Sequence, residues 1–225
     1  MTSKDRPYCI LNAAMSIDGK IATITGDIEL SSKEDWIRVH KLRTEVDGIL
    51  VGINTIIKDD PKLRIKYFNR KSGKLNRIVV DSKLKIPLTS KILRYKLNKY
   101  PTIIATTENA LHSKVEQIKN LDLNNINIII CGKEKQVDLK IMSKKLKRLG
   151  INKILLEGGG TLNFSMLKNQ LVDELRLAIS PIIIGGSNAI SLVEGNGFEK
   201  ISECVKLQLI KKQMFGNNLV LYFKL

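Results

Sequence analysis

Histidine is almost missing from this chain: His40 and His112 are the two in 225 residues, too few for a histidine-rich metal centre. Cysteine is nearly as scarce. Cys9, Cys131 and Cys204 are odd in number, widely separated and never spaced C-x-x-C. That argues against a disulfide framework and a structural zinc site, and no metal is expected. Aromatic residues are only 5% of the chain and do not interleave with its basic runs. No apolar run approaches the roughly 20 residues that span a bilayer. The opening stretch, residues 1–7, is polar and has no signal-peptide core. No membrane association and a cytoplasmic location are expected.

Positive charge is abundant: 38 Lys and Arg against 22 Asp and Glu, a formal net charge of +16. Nucleic-acid binding, a field that attracts small anions, and a lysine-rich background would each produce such a balance. The basic residues are spread along the whole chain, and the densest tract is only Lys144-Lys145-Leu146-Lys147-Arg148. The distribution favours background first, small anions second and nucleic acid last, so no nucleic-acid partner is expected.

Apolar runs and helical patterns alternate. Short buried-strand patterns occupy residues 8–15, 48–51, 78–80, 102–105, 126–130 and 151–156. Helical spacing fills residues 32–46, 110–120, 139–149 and 162–168. In the first helix Ser31 and Glu34 spell a capping box, and Trp36, Val39, Leu42 and Val46 fall on one face. Gly150 is placed to stop the third. Residues 174–184 suggest a strand interrupted by Pro181, and residues 205–212 and 219–223 flank a Gly216-Asn217-Asn218 turn. With no linker or repeat, residues 1–225 are expected to form a single α/β domain. Its mainly parallel central sheet is flanked by helices and ends in a C-terminal antiparallel hairpin.

Ligands of such sheets bind beyond the carboxyl ends of the strands. Small and polar residues collect there: Asn54, Thr55, Asp81, Ser82, Thr106, Thr107, Gly132, Glu157 and Gly158-Gly159-Gly160. The glycine triplet with Thr161 stands between a strand and a helix, where bare backbone can approach a phosphate. It is neither G-x-G-x-x-G nor a P-loop, and a plain tight turn explains it too. Asp18-Gly19-Lys20 suits a type I′ hairpin turn, and Asp59-Asp60-Pro61 suits a loop closing a short helix.

Together, in order and across nearly the whole chain, the segments are more specific. Ala13-Ala14-Met15-Ser16-Ile17-Asp18-Gly19-Lys20-Ile21-Ala22 resembles the opening strand of the riboflavin-pathway reductase family. Further blocks are Val39-His40-Lys41-Leu42-Arg43, Asp47-Gly48-Ile49-Leu50-Val51-Gly52-Ile53-Asn54-Thr55 and Asp59-Asp60-Pro61-Lys62-Leu63. Arg77-Ile78-Val79-Val80-Asp81-Ser82, Leu155-Leu156-Glu157-Gly158-Gly159-Gly160-Thr161-Leu162 and Leu171-Val172-Asp173-Glu174-Leu175 follow, then Ser180-Pro181 and Gly185-Gly186.

The resemblance implies a dihydrofolate-reductase-like fold, usually a homodimer, with NADPH as cofactor. The H-x-E and P-C-x-x-C signature of the deaminase fused to bacterial members is missing from this sequence. The resemblance is therefore to the archaeal and fungal reductases, whose substrate is 2,5-diamino-6-ribosylamino-4(3H)-pyrimidinone 5′-phosphate. It implies Lys20 at the ribose oxygen as the catalytic residue. Arg43, Leu63 and Lys66 would meet the substrate phosphate, and Glu157 the pyrimidine amino groups. Thr55 and Asp59 would lie at the nicotinamide side of the cofactor. Asp81, Ser82, Lys83 and Cys131 would lie at its adenosine end, and Gly158, Gly159, Gly160 and Thr161 at its pyrophosphate. The family often has arginine where Lys66 stands. The serine and tryptophan that bacterial members carry near Gly26 are replaced here by residues such as Asp27 and Glu29. A reductase for the deaminated 5-amino-6-ribosylaminouracil 5′-phosphate, and a non-catalytic nucleotide- or RNA-binding module, are the competing expectations.

Overall fold

The computed structural model describes residues 5–70, 73–113 and 126–225. They form two compact units, one from the described residues of Met1–Tyr8 and Arg43–Leu155, the other from Cys9–Leu42 and Leu156–Leu225.

The first unit holds strands β2 (Gly48–Gly52), β3 (Asn76–Val80), β4 (Thr102–Thr106), β5 (Ile126–Ile130) and β6 (Lys153–Leu156). Their order is β5-β4-β3-β2-β6, and the β2–β3, β3–β4 and β4–β5 pairs are parallel. Buried-parallel strands need apolar side chains on both faces. Accordingly every residue of β4 is buried, as are the first four of β2. Gly48 is required by packing, because a Cβ there would lie 2.7 Å from Ile78 Cδ1.

Asp47 fixes where these strands begin. Its carboxylate accepts from the amides of Asn152 and Lys153 at 2.9 and 3.0 Å, and its carbonyl accepts from the Asn76 amide at 2.9 Å.

Among the described residues the α-helices of this unit are α2 (Ile53–Asp59), α3 (Glu108–Ser113) and α4 (Leu139–Arg148). The helix expected over 110–120 begins at Glu108, and residues 114–120 of that expectation lie outside the described residues. Asp138 caps α4, accepting from the amides of Lys140 and Ile141. Gly150 ends it as expected: its φ is +81°, its amide reaches Lys147 O, and the Ile151 amide reaches Leu146 O. Those two bonds define a Schellman motif.

The second unit holds β1 (Tyr8–Ser16), β7 (Glu174–Ser180), β8 (Gln208–Phe215) and β9 (Asn218–Lys224) in the order β1-β7-β9-β8. β1 and β7 are parallel, and β7–β9 and β9–β8 antiparallel, so the C-terminal hairpin is as expected. Gly216, at φ +56°, turns the hairpin, and Asn218 belongs to β9 rather than to the turn. β7 stops at Ser180, short of the expected residue 184, because Pro181 has no amide to continue the ladder.

Helix α1 (Lys33–Leu42) departs from expectation at both ends. Its N-cap is Ser32, whose hydroxyl accepts from the Asp35 amide at 3.1 Å, while the Ser31 hydroxyl donates to the Asp35 carboxylate. The adjacent serines place two capping signals one residue apart, and Ser32 prevails because it also bonds the hairpin. Its hydroxyl donates to Phe215 O at 2.8 Å and its amide to Asn218 Oδ1 at 2.6 Å. The helix ends before Val46. Trp36 is 40% exposed, and the buried face instead carries Asp35 and Arg38, paired at 2.7 Å beside Val39 and Leu42. Arg38 also donates to Asn12 of β1 at 3.0 Å. Helix α5 (Gly160–Lys168) begins at the last residue of the glycine triplet, two residues earlier than expected.

Candidate functional site

In the first unit the polar residues predicted at strand ends lie at or just beyond the ends of β2, β3, β4 and β5. Asp81 is fully buried. Its carboxylate accepts from the Ile86 amide at 2.8 Å and the Lys83 amide at 3.4 Å, which folds the chain after β3 into a tight loop. Burial pushes its carboxyl above the ordinary value, outweighing the amides that face it. Ser82 accepts from the Val137 amide at 3.0 Å through its hydroxyl, and from the Thr107 hydroxyl at 3.1 Å through its carbonyl. Lys83 is exposed.

Cys131 ties the same strand tips together: its amide donates to Thr106 O at 2.7 Å and its carbonyl accepts from the Asp138 amide at 2.7 Å. The buried thiol faces Ile129 O at 3.6 Å, and desolvation pushes its pKa up to about 11. Cys131 is thus a neutral packing group, and any ligand contact there would come from its backbone. Asp81, Ser82, Lys83 and Cys131 form one cluster.

Thr55 and Asp59 stand one turn apart on α2, a spacing that places them on one helix face. The helix closes at Asp60 in the left-handed region, as the Asp59-Asp60-Pro61 reading anticipated. Arg43 is buried, and its guanidinium donates to Arg64 O at 2.8 Å, holding the segment that carries Leu63 and Lys66. Leu63 is buried at φ +41°, and the exposed Lys66 lies over the Tyr67 ring at 5.3 Å. Arg43, Leu63 and Lys66 therefore gather on one short stretch.

The second unit holds Lys20, Glu157 and the glycine triplet with Thr161. Asp18 and Gly19 turn the chain after β1, but Asp18 is not in the positive-φ region that a type I′ turn demands. Gly19 alone has positive φ, +80°, and its amide donates to Ser16 O at 3.0 Å, closing a turn one residue earlier. The Asp18 carboxylate accepts from the Ser16 hydroxyl at 2.6 Å and from the Ile184 and Gly185 amides at 3.0 and 2.7 Å. Those bonds, led by Ser16, hold its pKa down at about 2.

The Lys20 ammonium donates to Ala189 O and to Ser191 Oγ, both at 3.1 Å. Residues 189–194 then continue to the start of α5, where the Glu194 amide donates to Gly160 O at 3.1 Å. Lys20 and the glycine triplet are thus brought to one place through this segment. Gly159 is the N-cap of α5, no side chain caps the helix, and its first turn holds no acidic residue. Gly158 has φ +111°, and a Cβ on it would meet nothing within 4 Å. An uncapped helix start beside open backbone fits an anionic group such as a pyrophosphate. Gly160 is glycine for another reason: a Cβ there would sit 2.5 Å from Ser191 O and 2.7 Å from Glu194 Cγ. Glu157 is half-buried at the end of β6, and Thr161 is exposed on the first turn of α5.

Sequence reasoning missed Ala189, Ser191, Glu194 and Asn163. Asn163 is fully buried on α5, and its side chain donates to Leu192 O at 2.8 Å. Its one sequence signal was an amide set among the apolar residues Leu162, Phe164 and Met166. Among the described residues no group of three His, Cys, Asp or Glu side chains is placed to hold a metal ion, and no helix is long and apolar enough to cross a membrane.

Residues 7–221 match the family model described as the RibD C-terminal domain. Over 219 residues the chain is 40% identical to the 2,5-diamino-6-ribosylamino-4(3H)-pyrimidinone 5′-phosphate reductase of Methanothermobacter thermautotrophicus, covering 97% of this chain and 98% of that one. It is 36% identical over 214 residues to the protein of the same name from Archaeoglobus fulgidus, covering 91% and 94%. It is also 34% identical over 218 residues to the riboflavin biosynthesis protein RibD of Actinobacillus pleuropneumoniae, covering 96% of this chain and 56% of that one.

Among solved structures, the riboflavin biosynthesis reductase Rib7 of Saccharomyces cerevisiae superposes with a TM-score of 0.72 at 24% identity, covering 100% of this chain and 91% of that one. Acinetobacter baumannii RibD superposes with a TM-score of 0.78 at 21% identity, covering 98% and 58%. The fold is the dihydrofolate-reductase-like one that the sequence led us to expect. With residues 7–221 matching the family model and 40% identity to a relative covered almost end to end, the chain belongs to the RibD C-terminal domain family.

Proposed function

We propose that this protein reduces 2,5-diamino-6-ribosylamino-4(3H)-pyrimidinone 5′-phosphate to its ribitylamino product in riboflavin biosynthesis, with NADPH as reductant. It acts as one cytoplasmic catalytic domain and pairs with a second copy. What carries the reading is the 40% identity, spread over 97% of this chain, to a relative named for that reaction.

The chemistry follows from the residues. A ribosylamine opens to an iminium at C1′ when its ring oxygen takes a proton, the C1′–O bond breaks and the nitrogen lone pair closes the C=N bond. Lys20, a compact cation held at the lip of the α5 start, supplies that proton. Arg43 and Lys66 bind the 5′-phosphate, Lys66 as a point charge rather than a fork. Leu63 packs beside them, and the Glu157 carboxylate accepts from the pyrimidine amino groups. NADPH, when bound, supplies the hydride that C1′ receives. Gly158, Gly159, Gly160 and Thr161 would hold its pyrophosphate, and Thr55 and Asp59 its nicotinamide side. Asp81, Ser82, Lys83 and the Cys131 backbone would hold its adenosine end, where a hydroxyl and an ammonium suit a 2′-phosphate.

Strand β8 supports the pairing. It ends the strand order, and Leu209, Ile210 and Met214 are 51%, 60% and 57% exposed. An apolar edge strand of this kind calls for a cover. A Leu209→Lys, Met214→Lys double variant should run as a monomer in light scattering where the parent runs as a dimer. A monomeric parent would remove the pairing.

The substrate assignment is tested by assaying the diamino compound and its deaminated uracil counterpart side by side with NADPH. The reading requires faster turnover of the diamino compound. Preference for the uracil would reassign the substrate. No NADPH oxidation with either, together with salt-sensitive RNA binding, would favour a binding module instead.

A further inference from the structure

We propose that Ser191 is a positioning residue for the reduction: it aims the Lys20 ammonium at the ribose ring oxygen from a strap, residues 189–194, that is anchored on α5. The inference rests on the reading of Lys20 as the proton donor.

An ammonium has three N–H donors. Two of them are taken in Lys20, by Ala189 O and Ser191 Oγ at 3.1 Å each. Among the described residues the third meets no acceptor, which leaves it for a substrate oxygen. Lysine hangs on a flexible four-carbon stem, so a single acceptor would leave the head free to swing about it. Two acceptors define a direction. The carbonyl is supplied by backbone whatever stands at 189; the hydroxyl comes from the side chain at 191 alone.

The strap is itself fixed at both ends. Toward Lys20 it runs as an antiparallel bridge: Lys20 pairs with Ser191, the Ile21 amide donates to Ile190 O at 2.8 Å, and the Leu192 amide donates to Gly19 O at 3.0 Å. Toward α5 it is held by the Glu194 amide on Gly160 O at 3.1 Å and by the Asn163 side chain on Leu192 O at 2.8 Å. The Glu194 carboxylate also accepts from the Ser191 amide at 3.4 Å, and Gly160 lets Ser191 O come closer than any Cβ would allow. The side chain at 191 is therefore placed by backbone bonds on either side of it.

The hydroxyl also suits the proton step. As a proton passes from Nζ to the ring oxygen and the C1′–O bond opens, the amine gains a lone pair. The Ser191 O–H rotates freely and can then donate to that lone pair, so the same contact serves both protonation states.

The test is steady-state kinetics of Ser191→Ala, Ser191→Thr and Lys20→Ala with the diamino substrate, each checked for folding by circular dichroism and thermal unfolding. Ser191→Ala should lower kcat by roughly tenfold or more, with both KM values within about twofold of the parent, the pattern of an interaction made chiefly in the transition state. Ser191→Thr, which restores the hydroxyl, should recover most of the lost turnover. If Ser191→Ala misfolds, Ser191→Thr and the weaker acceptor Ser191→Cys carry the comparison, with kcat expected to fall from serine through threonine to cysteine. Parental kcat in Ser191→Ala, or in Ser191→Cys where that variant stands in, overturns the proposal if Lys20→Ala is inactive. So does a raised KM for NADPH with kcat unchanged, which would assign Ser191 to the cofactor cradle. Parental turnover in Lys20→Ala would instead overturn the reading beneath it.

Discussion

Asp81 gives both carboxylate oxygens to amides of its own loop, whereas Lys20 gives two of its three N–H groups to a distant strap and keeps one. The first arrangement spends polar groups on shape. Around Asp81, buried oxygens and amides satisfy one another within a few residues, and the Cys131 thiol is held neutral by desolvation. The second arrangement spends shape on a polar group. The turn at 18–19, the strap and the first turn of α5 together hold one ammonium whose charge is still available. In the proposed reaction the rigid frame would serve the cofactor and the residual donor capacity would serve proton transfer.

Mutation should separate the two plans. Lys20→Ala should cost turnover by roughly 10²–10⁴, the range of general acid catalysis, while leaving NADPH affinity nearly unchanged. Parental turnover would remove Lys20 from the proton step. Asp81→Ala should act on stability instead. It removes the acceptor of the buried Ile86 amide and should cost about 1–3 kcal/mol in urea unfolding, an effect Lys20→Ala should not share. Ser82→Ala should be milder, weakening NADPH by roughly threefold to tenfold, about the value of one hydrogen bond, and NADH less. Equal losses for the two cofactors would remove the 2′-phosphate from that end.

The smallest effect concerns Asp18, whose carboxyl is lowered from 3.8 to about 2. A depressed acid contributes its stabilisation fully above the unfolded value, and that contribution fades as pH falls through the folded one. Amide exchange at Ile184 and Gly185 should therefore stay protected down to about pH 3.8 and loosen toward pH 2. Loosening already near neutral pH would contradict the contact.

The plan around Asp81 was legible in the sequence, and the strap was not. Apolar runs such as Gly48–Gly52 and Thr102–Thr106 must be buried on both faces, so their ends mark where polar residues emerge. Asp81, Ser82 and Thr106 follow from that alone. Lys20 and Ser191 stand 171 residues apart, and nothing in the run Ser187-Asn188-Ala189-Ile190-Ser191 marks a partner for a lysine. Pairing that is fixed by close approach, as at Gly160, leaves only a glycine behind, and a glycine before a helix has a simpler local explanation. The displaced cap of α1 teaches the same lesson. Ser31 and Ser32 are equivalent by propensity, and contacts with Phe215 and Asn218 chose between them.

In the proposed reaction NADPH delivers its hydride to C1′ of the ribosylamine. Turnover of the diamino substrate with NADPH deuterated at both C4 positions, followed by mass spectrometry and NMR of the product, tests it directly. The expected ribitylamino product carries a single deuterium at C1′. A product without deuterium, or with the label at any other carbon, would contradict it.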